Sequence, residues 1–422
     1  MKGSFKANPL ARLEAGYIEG LRILKAVSGD IAADHYHLYQ EDVALMKAIG
    51  LRAYRFSISW TRILPSGRGQ ANPAGLDFYD RLVDALLEAG ILPDITLFCW
   101  DLPQALQDAG GWSKRENVDA YVELVDLVSR RLGDRVHAWA TINEPQSVVH
   151  SGFELGIHAP GIKNPRLALL ASHHLLLAHA RALPVLRQNS PQAQAGILIN
   201  VIPFYPASPS LYDQRDARIA DGHVNRWFLD PLAGRGYPED VIKQDRLAMD
   251  FVHSNDLDEI AAPVDYLGLN FYSRFIVRST SVSEAQNMPP TVIVGDEKTE
   301  MGWEVYPPAL YEVLGRLHFD YHFPAYYVTE NGAAIDDHPD LNGQVHDPAR
   351  ISYLERHITQ VARAIQAGVP LRGYFAWSLM DNFEWAEGYS KRFGLIYIDY
   401  PTQKRTLKDS AYWYHDWISC QT

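Results

Sequence analysis

Cysteine is scarce in this chain of 422 residues: Cys99 and Cys420 are the only two, too few for a framework of disulfides. The opening Met1-Lys2-Gly3-Ser4-Phe5-Lys6 lacks the apolar core of a signal peptide. Both features lead us to expect a reducing, cytoplasmic location. No apolar run approaches the roughly 18 residues that suggest a membrane helix, so no membrane partner is expected. Positive charge is also short, with 39 Lys and Arg against 51 Asp and Glu and a net charge of −12. A chain without a basic stripe is a poor match for nucleic acid or an anionic membrane. There is no low-complexity tail and no short internal repeat.

What is present reads as one globular unit, 1–422, at 47% hydrophobic and 21% charged residues. Short β-rich runs at 53–58, 92–98, 136–142, 196–201, 266–271, 326–329 and 371–377 alternate with longer helical patterns, as βα units of a parallel sheet do. The stretch 76–89 is one such helix, apolar at Leu76, Tyr79, Leu82, Val83 and Leu86 and closed by Gly90. Another is expected from about Asp34 to Ile49. The polar, Pro-bearing stretches 205–209 and 282–290 read as long loops within the unit. Seven strands are one short of a closed (β/α)8 barrel, and the gap falls at the start. There, in the atypical segment 1–29, Asn8 and Pro9 can open a helix continued by Leu10, Leu13, Tyr17, Leu21 and Leu24, at the cost of Gly16 and Gly20 inside it. Residues 21–27 read alternatively as a short strand. We therefore expect an α/β TIM barrel whose first strand is altered or missing. Unpaired edges on either side of that gap would invite a second copy, so a homodimer is possible.

Chemistry concentrates at two glutamates. Glu330 leaves the apolar, β-branched run Tyr326-Tyr327-Val328-Thr329 into a loop bearing Gly332, and Glu144 leaves a strand in Thr141-Ile142-Asn143-Glu144-Pro145. Either alone suits an ordinary loop glutamate; a matched pair at strand ends suggests glycoside hydrolysis. Other chemistries are weaker. His35 and His37 open a helix, where a spacing of two points the rings apart, so no metal is expected. Cys99 has no assigned base beside it. Gly67-Arg68-Gly69 is too short to cradle a phosphate.

From Gly29 to about Tyr414 the chain resembles family 1 glycoside hydrolases of the β-glucosidase type. The resemblance rests on Gly29-Asp30-Ile31-Ala32-Ala33-Asp34-His35-Tyr36-His37, Tyr54-Arg55-Phe56-Ser57-Ile58-Ser59-Trp60, Thr141-Ile142-Asn143-Glu144-Pro145, Asp265-Tyr266-Leu267-Gly268-Leu269-Asn270-Phe271-Tyr272, Tyr327-Val328-Thr329-Glu330-Asn331-Gly332 and Trp377-Ser378-Leu379-Met380-Asp381-Asn382-Phe383-Glu384-Trp385. It implies a (β/α)8 barrel, hydrolysis with retention through a covalent glycosyl-enzyme, no cofactor and no metal. It makes Glu330 the nucleophile and Glu144 the acid/base, and such a pair stands about 5 to 5.5 Å apart. Arg55 and Tyr272 are then expected to hydrogen-bond Glu330 and hold it ionised. Asn143 is expected on the sugar 2-hydroxyl. Trp100, Asn270, Trp303, Trp377, Glu384 and Trp385 would bind sugar, with Phe393 bounding the far end. A cis peptide is implied between Trp377 and Ser378.

The substrate implied is a terminal, unphosphorylated β-D-glucoside, with β-galactosides and β-fucosides as further candidates. Relatives acting on 6-phosphosugars tend to carry Ser where Glu384 stands and Tyr where Phe393 stands, and an anionic Glu384 would repel phosphate. Two departures point to reduced activity. No Gln can be assigned to a first strand, where only Gly16-Tyr17-Ile18-Glu19-Gly20 echoes the family, and Cys99-Trp100-Asp101 replaces a His-Trp-Asp motif. A thiol is a poor hydrogen-bond donor. The same departures allow an alternative, a catalytically weakened barrel that binds a sugar or another small ligand.

Overall fold

The protein is described by a computed structural model over residues 28–281, 291–292 and 295–420. Seven strands form one sheet: β1 (Ala53–Ser57), β2 (Leu92–Phe98), β3 (Ala138–Asn143), β4 (Gln194–Asn200), β6 (Tyr266–Asn270), β9 (Tyr326–Asn331) and β10 (Leu371–Ala376). Every neighbouring pair is parallel, in the order β1-β2-β3-β4-β6-β9-β10. Parallel strands require crossovers, and helices supply them. All six residues of β3 and all of β9 are buried, as expected of strands covered on both faces. These are the seven runs expected from the sequence, shifted by a residue or two at their ends. The architecture is that of a TIM barrel.

The helix expected over 76–89 runs Pro73–Glu88, with proline in its first turn, and turns Phe78, Tyr79, Leu82, Val83 and Leu86 inward. The one expected from about Asp34 is His35–Ile49, closed by Gly50 in the left-handed conformation that favours glycine. His35 and His37 do open it, and their rings turn to different acids, Asp42 and Asp34. The loop expected at 205–209 is partly wrong. Phe204–Pro206 forms β5, which pairs with β7 (Phe275–Val277), itself paired with β8 (Thr291–Val292). Pro206 is tolerated because β5 is the edge of that small sheet. Both alternatives for the start, the helix through Leu10 to Leu24 and the strand 21–27, lie outside the described residues, as do 282–290.

Among the described residues, β1 and β10 are the two ends of the sheet. A cavity of about 750 Å³ adjoins them, lined among others by Tyr54, Arg55, Cys99, Arg372, Tyr374 and Trp377. Among the described residues, the C-terminal part meets the helix His35–Ile49 on that side. Arg405, in β12 (Lys404–Leu407) of the hairpin with β11 (Ile396–Asp399), reaches Asp42 with Nε at 2.8 Å from Oδ1 and also bonds the Ala33 carbonyl at 2.5 Å. Asp42 is fully buried, and burial pushes its carboxyl up. The His35 and Arg405 hydrogen bonds and charges outweigh that and hold it below the ordinary value. Removing one partner of a buried pair strands the other charge. Asp42→Asn is therefore expected to lower unfolding free energy by about 3 kcal/mol, read as a lower urea midpoint at unchanged slope. An unaltered midpoint would show that the carbonyl contacts of Arg405 suffice.

Candidate active site

The sheet loses regular register where the candidate residues stand. Shifts fall between Ala140 and Asn143 on β3, between Leu269 and its neighbour Asn270 on β6, and between Tyr374 and Ala376 on β10.

 Leu269 pairs with Val328 and the next residue, Asn270, pairs with Glu330, so the extra residue in β9 re-aims its end. These three shifts lie at the C-terminal ends of the strands, the end at which a barrel of this kind gathers functional side chains, and a fourth, between Leu371 and Gly373, opens β10.

Glu144 follows β3 with φ at 47°, a left-handed backbone that is uncommon away from glycine. Its carboxyl is almost wholly buried. One oxygen accepts from Asn270 Nδ2 at 2.7 Å, the other from Ser147 Oγ at 2.6 Å. Burial and then the charge of Glu330 push this carboxyl up to about 7, against the Ser147 and Asn270 hydrogen bonds and the charge of Arg55. Glu330, near the end of β9, meets a different environment. Arg55 Nη2 from β1 donates to Oε1, and Tyr272 Oη donates to Oε2 at 2.5 Å. Burial first, and then Glu330, hold the Tyr272 hydroxyl well above its ordinary range, so it stays a donor. Arg55 is itself steadied by Thr96 Oγ1 at 3.2 Å. Two carboxyls thus share a site, one held by a cation and one desolvated, a division suited to a nucleophile and an acid.

The other expected residues gather around this pair. Trp377 is joined to Ser378 by a cis peptide, and its backbone N donates to the Asn331 carbonyl at 2.9 Å. Gly332 is required there, since a Cβ would stand 1.7 Å from the Trp377 carbonyl oxygen. Glu384 accepts from Asn382 Nδ2 at 2.7 Å, and burial raises its carboxyl to about 7 against that bond, with Glu330 adding to the rise. Trp100 and Trp385, both at positive φ, lie with ring centroids 4.9 Å apart, and Trp100 Nε1 donates to the Asn143 carbonyl at 3.2 Å. Trp303 packs on Tyr272 at 5.3 Å.

Two of the expected residues are enclosed. Asn270 is fully buried, donating to Glu144 and to Asn143 Oδ1 and accepting from Thr329 Oγ1, so it orients the acid. Phe393 is 1% exposed and packs against Tyr272 and Trp303. Ser147 was not anticipated. Its signal was its position three residues past Glu144 at the start of the short helix Pro145–Val149, where a hydroxyl returns to the preceding carboxyl. Cys99 is a free thiol pushed far up by burial and by Glu330, hence a poor nucleophile at neutral pH. No group of three or more His, Cys, Asp or Glu among the described residues is placed to hold a metal.

The family profile described as Glycosyl hydrolase family 1 matches residues 17–422. The chain belongs to glycosyl hydrolase family 1. It is 46% identical over 395 residues to beta-glucosidase A of Acetivibrio thermocellus, covering 93% of this chain and 88% of that protein. A bifunctional beta-D-glucosidase/beta-D-fucosidase of Bifidobacterium breve is 42% identical, over 94% of this chain and 90% of that one. Among solved structures, the family 1 β-glucosidase of Thermotoga maritima in complex with isofagomine lactam superposes with a TM-score of 0.89 at 44% identity, over 97% of this chain and 92% of the other.

The hydrogen bond from Ser147 stabilises the charged form of Glu144, so its removal must raise the pKa. Ser147→Ala is expected to move the Glu144 titration upward by about 0.7 units, the equivalent of one net hydrogen bond of about 1 kcal/mol. Carboxyl carbon NMR of labelled protein reads it. A downward move would assign the bond to the protonated form.

Proposed function

We propose that this chain hydrolyses terminal, unphosphorylated β-D-glucosides with retention, using Glu330 as nucleophile and Glu144 as acid/base. The observation that carries the proposal is the unequal setting of the two carboxyls, Glu330 between Arg55 and Tyr272 and Glu144 raised to about 7 by burial and by Glu330. Glu330 attacks the anomeric carbon while Glu144 gives its proton to the departing glycosidic oxygen. The resulting ester is neutral, which removes the charge that raised Glu144. Glu144, now a stronger acid and ionised, takes a proton from water as that water attacks, and Glu330 leaves as carboxylate. In this reading Asn143 bonds the 2-hydroxyl, and Glu384, Trp377, Trp385, Trp100 and Trp303 bind the rest of the sugar and its faces.

The preference against phosphosugars is supported by Glu384, a carboxyl where relatives acting on 6-phosphosugars tend to carry serine, and Lys391 donates to the Glu300 carbonyl at 2.7 Å. The named activity of the Bifidobacterium relative extends the proposal to β-fucosides, and β-galactosides remain within it. A cytoplasmic location is supported by the two unpaired cysteines, and no helix among the described residues is long and apolar enough to cross a membrane. A homodimer is supported by the edges of β1 and β10, which no other strand among the described residues pairs with, and sedimentation at micromolar concentration tests it.

Roles are tested by substitution. Glu330→Ala is expected to abolish turnover of p-nitrophenyl β-glucoside, with added azide restoring part of it by attack from the vacated side. Glu144→Ala is expected to spare activated aryl glucosides far more than alkyl glucosides, because protonation matters least for good leaving groups. Identical behaviour of the two variants on both substrates would refute the assignment.

Cys99 generates a further expectation. Since a thiol donates weakly, Cys99→His is expected to raise kcat/KM about tenfold, one hydrogen bond worth about 1.4 kcal/mol in the transition state. Unchanged kinetics in a folded variant would show that the pocket has been rebuilt around the thiol.

A further inference from the structure

Lys408 lies outside the sugar pocket, at the start of the C-terminal helix Asp409–Ser419. It is fully buried, and its ammonium donates to both oxygens of Asp337 at 2.9 Å and to Asp381 Oδ1 at 2.9 Å. An ammonium has three protons, and three acceptor contacts match them. The two acids belong to different loops of the site. Asp337 follows β9, seven residues after Glu330, and Asp381 stands in the loop after β10, between Trp377 and Glu384.

Each acid holds backbone as well as charge. Asp381 accepts from Gly394 N at 3.0 Å through Oδ1 and from Arg392 Nη1 at 2.5 Å through Oδ2, fixing the returning segment at the residue after Phe393. Asp337 is clasped by Arg350, which also donates to the Ala333 carbonyl at 2.5 Å and to the Phe393 carbonyl at 3.2 Å. Arg350 further pairs with Asp347 at 2.8 Å, so Lys408, Arg350 and Arg392 balance Asp337, Asp381 and Asp347. The packing permits little slack, since a Cβ on Gly394 would stand 2.1 Å from the Asp381 backbone nitrogen. Next to Asp381, Asn382 accepts from Ser378 Oγ at 3.2 Å and donates to Glu384 at 2.7 Å.

We propose that Lys408 is a positioning residue for sugar recognition, locking the loop of Trp377 and Glu384 to the loop that follows the nucleophile. It touches no substrate and acts through Glu384. This inference rests on the glycosidase reading, and it adds a determinant of sugar affinity remote from the pocket. A buried charged cluster that served stability alone would lower the fraction folded and leave the folded protein's affinity unchanged.

The test is a double-mutant cycle on KM for p-nitrophenyl β-glucoside and on Kd for deoxynojirimycin by calorimetry, using Lys408→Met, Glu384→Ala and the pair. Lys408→Met is expected to raise KM and Kd at least tenfold with a smaller change in kcat, and to add less than twofold once Glu384 is Ala. Factors that multiply in the pair, or an unchanged Kd in folded Lys408→Met, overturn the inference while leaving wild-type hydrolysis intact. If Lys408→Met fails to fold, Asp381→Asn, which keeps side-chain size, takes its place under the same two outcomes. A wild-type protein that neither hydrolyses the glucoside nor binds deoxynojirimycin overturns both this inference and the glycosidase reading.

Discussion

The contact of Arg55 with Glu330 is the constraint on which the site depends. A barrel bottomed by two glutamates has a problem of like charge, because two ionised carboxylates in a desolvated space repel and one of them takes a proton. Arg55 decides which. It comes from β1 and donates to Glu330, while Glu144, supported by neutral donors alone, is left to rise to about 7. Tyr272 reinforces the decision from the β6 end, since burial holds its hydroxyl protonated and it donates to Glu330. The asymmetry is therefore built from four different strands, β1, β3, β6 and β9, and no one segment could produce it.

That dependence explains why the strand ends carry irregular register. A regular parallel sheet sends alternate residues to opposite faces, which would place either Thr329 or Glu330, with the wrong neighbours, at the mouth. The shift between Leu269 and Asn270 lets Asn270 sit opposite Glu330 and still reach Glu144. Thr329 completes Asn270 by donating to its Oδ1 at 2.7 Å. Asn270 is saturated as a result, and its amide cannot swing. The orientation of the acid is then set by a side chain with a single available hydrogen-bond arrangement.

Much of this was legible in the sequence because it is local. Each barrel strand is a short apolar run with its own flanks, and the two glutamates announce themselves by leaving such runs for loops. What was not legible is what depends on pairing across the chain. Phe204–Pro206 looked like a loop because a proline stood in it and because its partner, Phe275–Val277, lies some 70 residues on. Ser147 was missed for the opposite reason: its contact is local, yet a serine near a helix start is ordinarily read as a cap. The buried pair of Asp42 with Arg405 leaves no trace in either neighbourhood, since each residue alone resembles a solvated surface charge.

The same distinction bears on Cys99. Its replacement of a histidine is visible at once in Cys99-Trp100-Asp101, and the loss of a donor follows from chemistry alone. Its consequence depends on surroundings the motif does not contain. The thiol lies near Arg55 and Glu330 and is held neutral by burial, so it neither competes with Arg55 for the carboxylate nor adds a charge that would disturb the assignment of proton and anion. A histidine there could carry a proton, and a second cation beside Glu330 would lower Glu144 indirectly by offsetting the anion that raises it. A cysteine at this position thus leaves the electrostatic division between Glu330 and Glu144 in the hands of Arg55 and Tyr272, so donation to a sugar and partition of charge are separable in this site.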